Sequence, residues 1–531
     1  MRKITTYLFL PIAVILFLTA TLTPANAQTR DFTAVDARVD FSNQLREWDG
    51  FGVNYVETSQ TFDYEKNHQD YGGLWRLNQT DRDSIYRLFF GDEGLRPDLI
   101  KMFLDPLHQT QADGPYDHAT TTASMREFVK AGIELTRERN EELEVITTLY
   151  GPPAYITKQK ILRGRDLDPN HKDDLADYMI SWLRYLKFDQ QIPVKYISVH
   201  NEGESWLRWP EDGGYDETVD AGGHDYNFFW PPQQVNDLIK LMRPKMDAVG
   251  LDDVGITNGE PTNWYRFVEW GYAQALADDP EALSKLGLVT SHGFYVGHMN
   301  APRWFGPHTS RGIDLLRESR PELKSWVTST AWNIARPAPT EEIPWRREFF
   351  MNPGFLKEVH GNIYESKINA LIPWAAMQNA SHWNKPDPNP GTAIRVYDDG
   401  TWEIKKGYYY FKQVSRAGRA GMAVAHTSAL DSEIAIIAFS SNGTSNPDAF
   451  VLINWGDNDR DVEVEILGNK SREFNAYRTT GSQMHDEFRE TALPGLLDDT
   501  ENYQSIGNFE IDDDKLFYSA PAVSATTFFA R

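Results

Sequence analysis

The chain has 531 residues, no cysteine and a formal charge of −24 at neutral pH. The lack of cysteine excludes disulfides and a lipid-anchored cysteine, and the acidity argues against nucleic acid or an anionic membrane as partner. About 500 residues beyond a leader are too many for one small domain and suit a large barrel plus a second domain.

The first predicted element is that leader. Arg2 and Lys3 precede the apolar run YLFLPIAVILFLTATL, and Ala25-Asn26-Ala27 supplies a small-x-small cleavage site. A secretory signal over residues 1–27 is expected, giving a secreted or periplasmic protein with no membrane attachment after cleavage. An uncleaved anchor is the alternative. No later stretch is apolar enough to span a bilayer. Residues 28–45 are expected to add one or two strands to a C-terminal sheet.

Short apolar strands then alternate with amphipathic segments. The strands are DGFGVNYVE (49–57), DLIKMFLDP (98–106), LEVITTLYGPPAY (143–155), KYISVHNEGE (195–204), VGITNGEP (254–261), LVTSHGFY (288–295), KSWVTST (324–330) and NALIPWAAM (369–377). Helical spacing marks 121–140, 171–188, 232–250 and 352–368. Near-continuous apolar strands are expected where both faces are buried. The pattern predicts an α/β fold, a (β/α)8 TIM barrel over residues 46–404. A doubly wound open sheet is the alternative, but no glycine-rich phosphate loop follows the first strand. From 405 to 531 short strands separated by Asn, Gly, Asp and Ser turns predict an antiparallel β-sandwich side domain.

Barrels of this kind carry their chemistry at the C-terminal strand ends. Those ends leave, in order, Glu57; Asp105; Tyr150, Pro152 and Tyr155; His200, Asn201, Glu202 and Glu204; Asn258 and Glu260; His292 and Tyr295; Ser329 and Trp332; and Trp374, Gln378, His382 and Trp383. Carboxylates, amides, imidazoles and indoles in one ring suit a polyhydroxylated ligand. No spacing resembles a zinc site, and DNDRDVEVE (457–465) lacks the mid-loop glycine of a calcium loop. No metal or other cofactor is expected. The expected partner is a carbohydrate substrate, and the chain is expected to be monomeric.

With WDGFG, YGPPAYI, YISVHNEGE, YYYFKQVSRAGRAGM and SATTFF in this order, most of the chain after the leader resembles glycoside hydrolase family 30 of clan A. The resemblance implies a barrel with a side sandwich built from both chain ends. It implies Glu202 as general acid/base, protonated by virtue of burial or a nearby negative charge, with Asn201 bonding a sugar hydroxyl. An ordinary polar strand end is the bland alternative for Asn201-Glu202.

The family's nucleophile ends strand seven in a Trp-x-Thr-Glu-like pattern; here WVTST puts Ser329 at that place. A retaining mechanism needs two carboxyl groups about 5 Å apart, and serine needs an adjacent base to attack. Three readings stay open. The protein is a hydrolase in which another rim carboxylate activates water, Glu260 first, then Glu57, Asp105, Glu341 and Glu342. Or it is a non-catalytic carbohydrate-binding relative. Or the nucleophile lies elsewhere, with Glu341 and Glu342 the nearest downstream acids. Candidate substrate-binding residues are Asn201, Tyr150, His200, His292, Tyr295, Trp332, Trp374, Trp383 and Arg163.

Two loops bear on the ligand. TKQKILRGR (157–165) carries Lys158, Lys160, Arg163 and Arg165, and Arg303, Arg311, Arg336, Arg346 and Arg347 follow strands six and seven. These cations fit either an anionic glycan or a solvated loop balancing its own acids. The segment 205–232, with Trp206, Trp209, Tyr226, Phe228 and Trp230, reads as a lid or subsite wall, or as a loop packed on its own aromatics.

Overall fold

The computed structural model describes residues 35–57, 71–162, 164–205, 228–294, 308–337, 347–379, 391–486 and 500–531. The expected signal segment, Arg163, Tyr295, Trp383, His382, Glu341, Glu342 and most of the 205–232 loop lie outside them.

Eight parallel strands close a barrel: Gly50–Asn54, Leu99–Leu104, Glu144–Leu149, Val194–Ser198, Gly255–Thr257, Leu286–Ser291, Ser325–Val327 and Ala370–Leu371. Each lies within or overlaps a predicted run. Alternation along them sets the interior in layers. Leu99, Ile146, Leu288, Trp326, Ala370 and Ile372 pack as an apolar plug. The first strand adds Gly52 to this layer, where a Cβ would meet Ile372 at 2.7 Å and Leu99 at 2.9 Å. Two residues further on, the same faces carry Asn54, Lys101, Thr148, Thr290 and Thr328, all fully buried. The interior thus turns from apolar to polar in one step toward the C-terminal end.

The helices Ala123–Glu138, Lys172–Arg184, Pro232–Asp247 and Gly354–Tyr364 match the predicted segments. Gln79–Phe90 and Lys406–Ala417 are additions to that set. The second of these contains Tyr408, Tyr409, Tyr410 and Phe411, residue types that favour strands when read one at a time. Its buried positions include Tyr408, Phe411, Val414 and Ser415, which is a helical spacing. Tertiary packing decides the matter. Phe411 lies 5.6 Å from Phe51 of the barrel, while Gln413 bonds Thr479 and Thr527 of the side domain. The helix is a rivet between the two.

The side domain is a nine-stranded sheet. Its central strands include Val35–Glu47, antiparallel to Ala423–Ala429 on one side and parallel to Arg460–Leu467 on the other. The sheet folds over its own core of Val39, Phe41, Ile436, Phe450, Leu452 and Val464. Tyr518 of an edge strand closes that core, its ring 5.2 Å from Phe528 and its hydroxyl 2.7 Å from Thr526 Oγ1.

Candidate active site at the barrel mouth

Glu202 follows the fourth barrel strand and is 5% exposed. Its backbone is left-handed, with φ of 49°, a conformation that costs a glutamate on the order of 1 kcal/mol and persists only where the surroundings enforce it. Here the Glu202 amide donates to the Glu260 carbonyl at 2.8 Å, and the Glu260 amide donates to the His200 carbonyl at 3.0 Å. This ladder extends the pairing of strands four and five past their regular ends, with Asn201 opposite Glu260.

Below Glu202 lies a buried polar network. His292 Nδ1 is 2.8 Å from Glu202 Oε1, and its Nε2 is 3.1 Å from Glu260 Oε2. Thr148 Oγ1 donates to Glu260 Oε1 at 2.7 Å, and Lys101 Nζ donates to Glu260 Oε2. Four side chains from strands two, three, five and six therefore meet across the barrel axis under the acid. Lys101 and Glu260 are both fully buried. Burial opposes ionisation of Glu260, but the Lys101 ammonium and the His292 bond outweigh it and hold its carboxyl down at about 2. Burial also opposes a charge on His292; its bonds to Glu202 and Glu260 prevail and push its pKa up. The network is an ammonium, a carboxylate and an imidazole in series, ending on Glu202.

Ser329 is 1% exposed, and its Oγ has no hydrogen-bond partner among the described residues. Its carbonyl accepts from the Gly293 amide at 2.7 Å, so it adjoins the residue after His292. Glu202 and Ser329 thus sit at the same end of the barrel, joined through the His292–Gly293 segment. The side-chain amide of Asn54, at the end of strand one, is likewise buried with neither atom paired among the described residues. Unpaired buried polar atoms are costly, and a hydroxylated ligand is one way to satisfy them.

The aromatic wall is partly as expected. Tyr150 packs edge-on against Phe103 at 5.1 Å, Phe103 against Trp374 at 6.1 Å, and Trp374 against Tyr71 at 5.6 Å. Lys101 Nζ lies 4.6 Å from the centre of the Phe103 ring, so this wall adjoins the polar floor.

Several expected residues are placed elsewhere. Trp332 is fully buried with its ring 4.8 Å from Phe411; it belongs to the core under the riveting helix, not to a sugar-stacking face. His200 is stacked on Trp230 at 5.8 Å and lies 6.1 Å from Tyr272. Burial pushes its pKa down to about 4, and it packs in the outer layer. Glu57 accepts from the Met125 amide at 2.9 Å, meeting the positive end of the helix Ala123–Glu138. Asp105 accepts from the Leu107 amide at 2.8 Å and lies 3.4 Å from His108 Nε2. Glu204 is bound by Arg266 at 2.8 Å and by the Thr262 amide at 3.0 Å. Phe228 and Trp230 stack on each other at 4.8 Å and are fully buried, which fits packing rather than an open subsite for that end of the loop. Three of the basic residues find local acids: Lys160 with Asp168 at 2.6 Å, Arg165 with Asp166 at 3.0 Å, and Arg311 with Glu269 at 2.6 Å.

Lys101, Thr148 and Asn54 were missed from the sequence. Lys101 carried a signal: a single ammonium in the middle of LIKMFL, a strand buried on both faces, needs a buried partner. Thr148 and Asn54 carried none, since either residue is ordinary in a strand.

No family model and no curated protein matches the chain. Solved structures do. The catalytic domain of a family 30 xylanase C from Talaromyces cellulolyticus aligns with 93% of this chain and 100% of its own, at TM-score 0.63 and 14% identity. An endo-beta1,6-glucanase aligns over 93% of this chain and 94% of its own, at TM-score 0.62 and 16% identity. A conserved exported protein from Bacteroides fragilis aligns over 93% and 99%, at TM-score 0.66 and 14% identity. The chain shares the fold of glycoside hydrolase family 30 structures.

Proposed function

We propose that the barrel mouth binds a neutral glycan and cleaves one of its glycosidic bonds, with Glu202 as the general acid. The observation that carries this reading is the setting of Glu202: a buried carboxyl on a left-handed backbone, held by an imidazole that is itself anchored on a buried ion pair. A binding surface has no use for a carboxyl held so firmly. The local pairing of Lys160, Arg165 and Arg311 supports a neutral ligand over an anionic one.

In the reaction, Glu202 gives its proton to the departing glycosidic oxygen as the bond to the anomeric carbon breaks. Water attacks that carbon from the opposite face and releases its own proton to solvent, and Glu202 is reprotonated. The product then has inverted configuration. Glu260 is a poor base for that water, because Lys101, Thr148 and His292 already occupy its oxygens and keep it ionised. Without a base the reaction forgoes about 10²–10⁴-fold in rate, so a slow enzyme is expected. With the leader over residues 1–27 we place this activity outside the cytoplasm; an exported chain beginning at Gln28 is the result expected from N-terminal sequencing.

A second reading, a carbohydrate-binding protein without turnover, is favoured by Ser329 and by the engagement of Glu57, Asp105 and Glu260 elsewhere. One assay separates the two. Xylan and β-1,6-glucan, the substrate types named for two fold relatives, head a panel scored for reducing ends. Release that falls about 10²–10⁴-fold in Glu202→Gln supports the enzyme. Binding without release from any glycan supports the second reading.

A further inference from the structure

We infer that the outer wall of the barrel carries a second carbohydrate site, which takes one or two units of a neutral pyranose chain between Tyr116 and Phe188. A cavity of about 370 Å³ opens there between the segment after strand two and the helix Lys172–Arg184. It shares no residue with the barrel mouth and lies within the size range of small-ligand sites. Two of its aromatic rings face solvent: Tyr116 is 39% exposed and Phe188 45%. Two exposed rings on the rim of one concavity offer apolar surface to a ligand lying between them.

Tyr116 is held flat. It stacks on His118 with ring centres 5.3 Å apart and planes 9° from parallel. A buried polar edge lies behind it, where His108 Nε2 is 3.4 Å from an Asp105 carboxylate oxygen without a hydrogen bond between them. His108 Nδ1 and His118 Nδ1 are 2.8 Å apart, and His118 Nε2 is 2.8 Å from Ser181 Oγ. Burial and the neighbouring His108 push the pKa of His118 down to about 3, so this edge carries no imidazolium at neutral pH. Ser181 and Arg184 also line the cavity and bring a hydroxyl and a guanidinium to it. A flat ring with such polar groups at its margin matches the apolar face and hydroxyl rim of a pyranose. Mixed charge in the lining, Arg184 with Asp117 and Asp189, suits a neutral sugar.

The choice of ligand class rests on the reading of the barrel mouth, so the test keeps the two apart. The mature chain carrying Glu202→Gln, to stop turnover, is titrated calorimetrically with hexasaccharides of β-linked xylose and of β-linked glucose. Tyr116→Ala with Phe188→Ala, both surface changes, and separately Arg184→Ala, are expected to remove or weaken by at least about tenfold one class of sites. Trp374→Ala, checked for folding by circular dichroism, is expected to remove the other. Unchanged stoichiometry and affinity in the Tyr116/Phe188 and Arg184 variants, with binding lost only in Trp374→Ala, overturns the second site and leaves the barrel reading standing. No binding by the parent overturns both.

Discussion

In the proposed mechanism, position 329 sets the stereochemical course. A glutamate placed there brings back the second carboxyl that a retaining mechanism needs, and the unpaired Ser329 hydroxyl shows that no existing bond is lost in the exchange. Ser329→Glu is therefore expected to raise the rate of glycan cleavage by about a hundredfold or more. It is also expected to switch the first-formed product to the retained anomer, read by proton NMR within the first minutes. No gain in a folded variant would mean that this position does not face the reacting carbon. The serine was legible in the sequence because its neighbours defined the place. Its unpaired state was not, since that depends on which groups three other strands bring near. Nor was the left-handed turn at Glu202, which a glutamate adopts only under tertiary constraint.

At the scale of elements, the site is a crossing point for strands that are far apart in sequence. Lys101 of the second strand and Glu260 after the fifth form an ion pair with no exposure to water. Removing one partner strands a buried charge, so Lys101→Met is expected to cost about 3–5 kcal/mol in urea unfolding, whereas the double change with Glu260→Leu recovers most of it. A loss in the double variant equal to the sum of the two single losses would show that the pair is not coupled. The eight strands were legible because double-faced burial leaves a dense apolar run, and the long helices because their periodicity is strong. The helix Lys406–Ala417 was not, since its aromatic cluster satisfies two periodicities and only contact with both domains selects one. His200 and Trp332 were misplaced for a related reason: a strand end or loop can turn a polar or aromatic side chain to either side of the barrel wall.

For the whole molecule, burial of titratable groups sets the pH range of stability. His118, His200 and His360 are held at about 3, 4 and 4 against an ordinary 6.5, chiefly by burial. The unfolded chain therefore takes up protons first, and stability falls as pH drops from about 6.5 toward 4. Glu260, held at about 2 by Lys101 and His292 against burial, adds a stabilisation present above about 4.5 and lost as pH falls toward 2. The raised pKa of His292 works in the opposite sense, stabilising at low pH and fading as pH rises through its folded value. Urea midpoints measured from pH 8 to pH 4 should fall steadily below about 6.5; a flat profile would show that these histidines are open to solvent. The strand Val35–Glu47 has a further consequence. Both of its neighbours, Ala423–Ala429 and Arg460–Leu467, come from the far end of the polypeptide. A ribosome releases this segment long before anything exists for it to bind, so its completion is the last act of synthesis rather than the first. A polypeptide stopped at residue 404 would carry two bare β edges from birth, and its accumulation in the insoluble fraction is the outcome to look for.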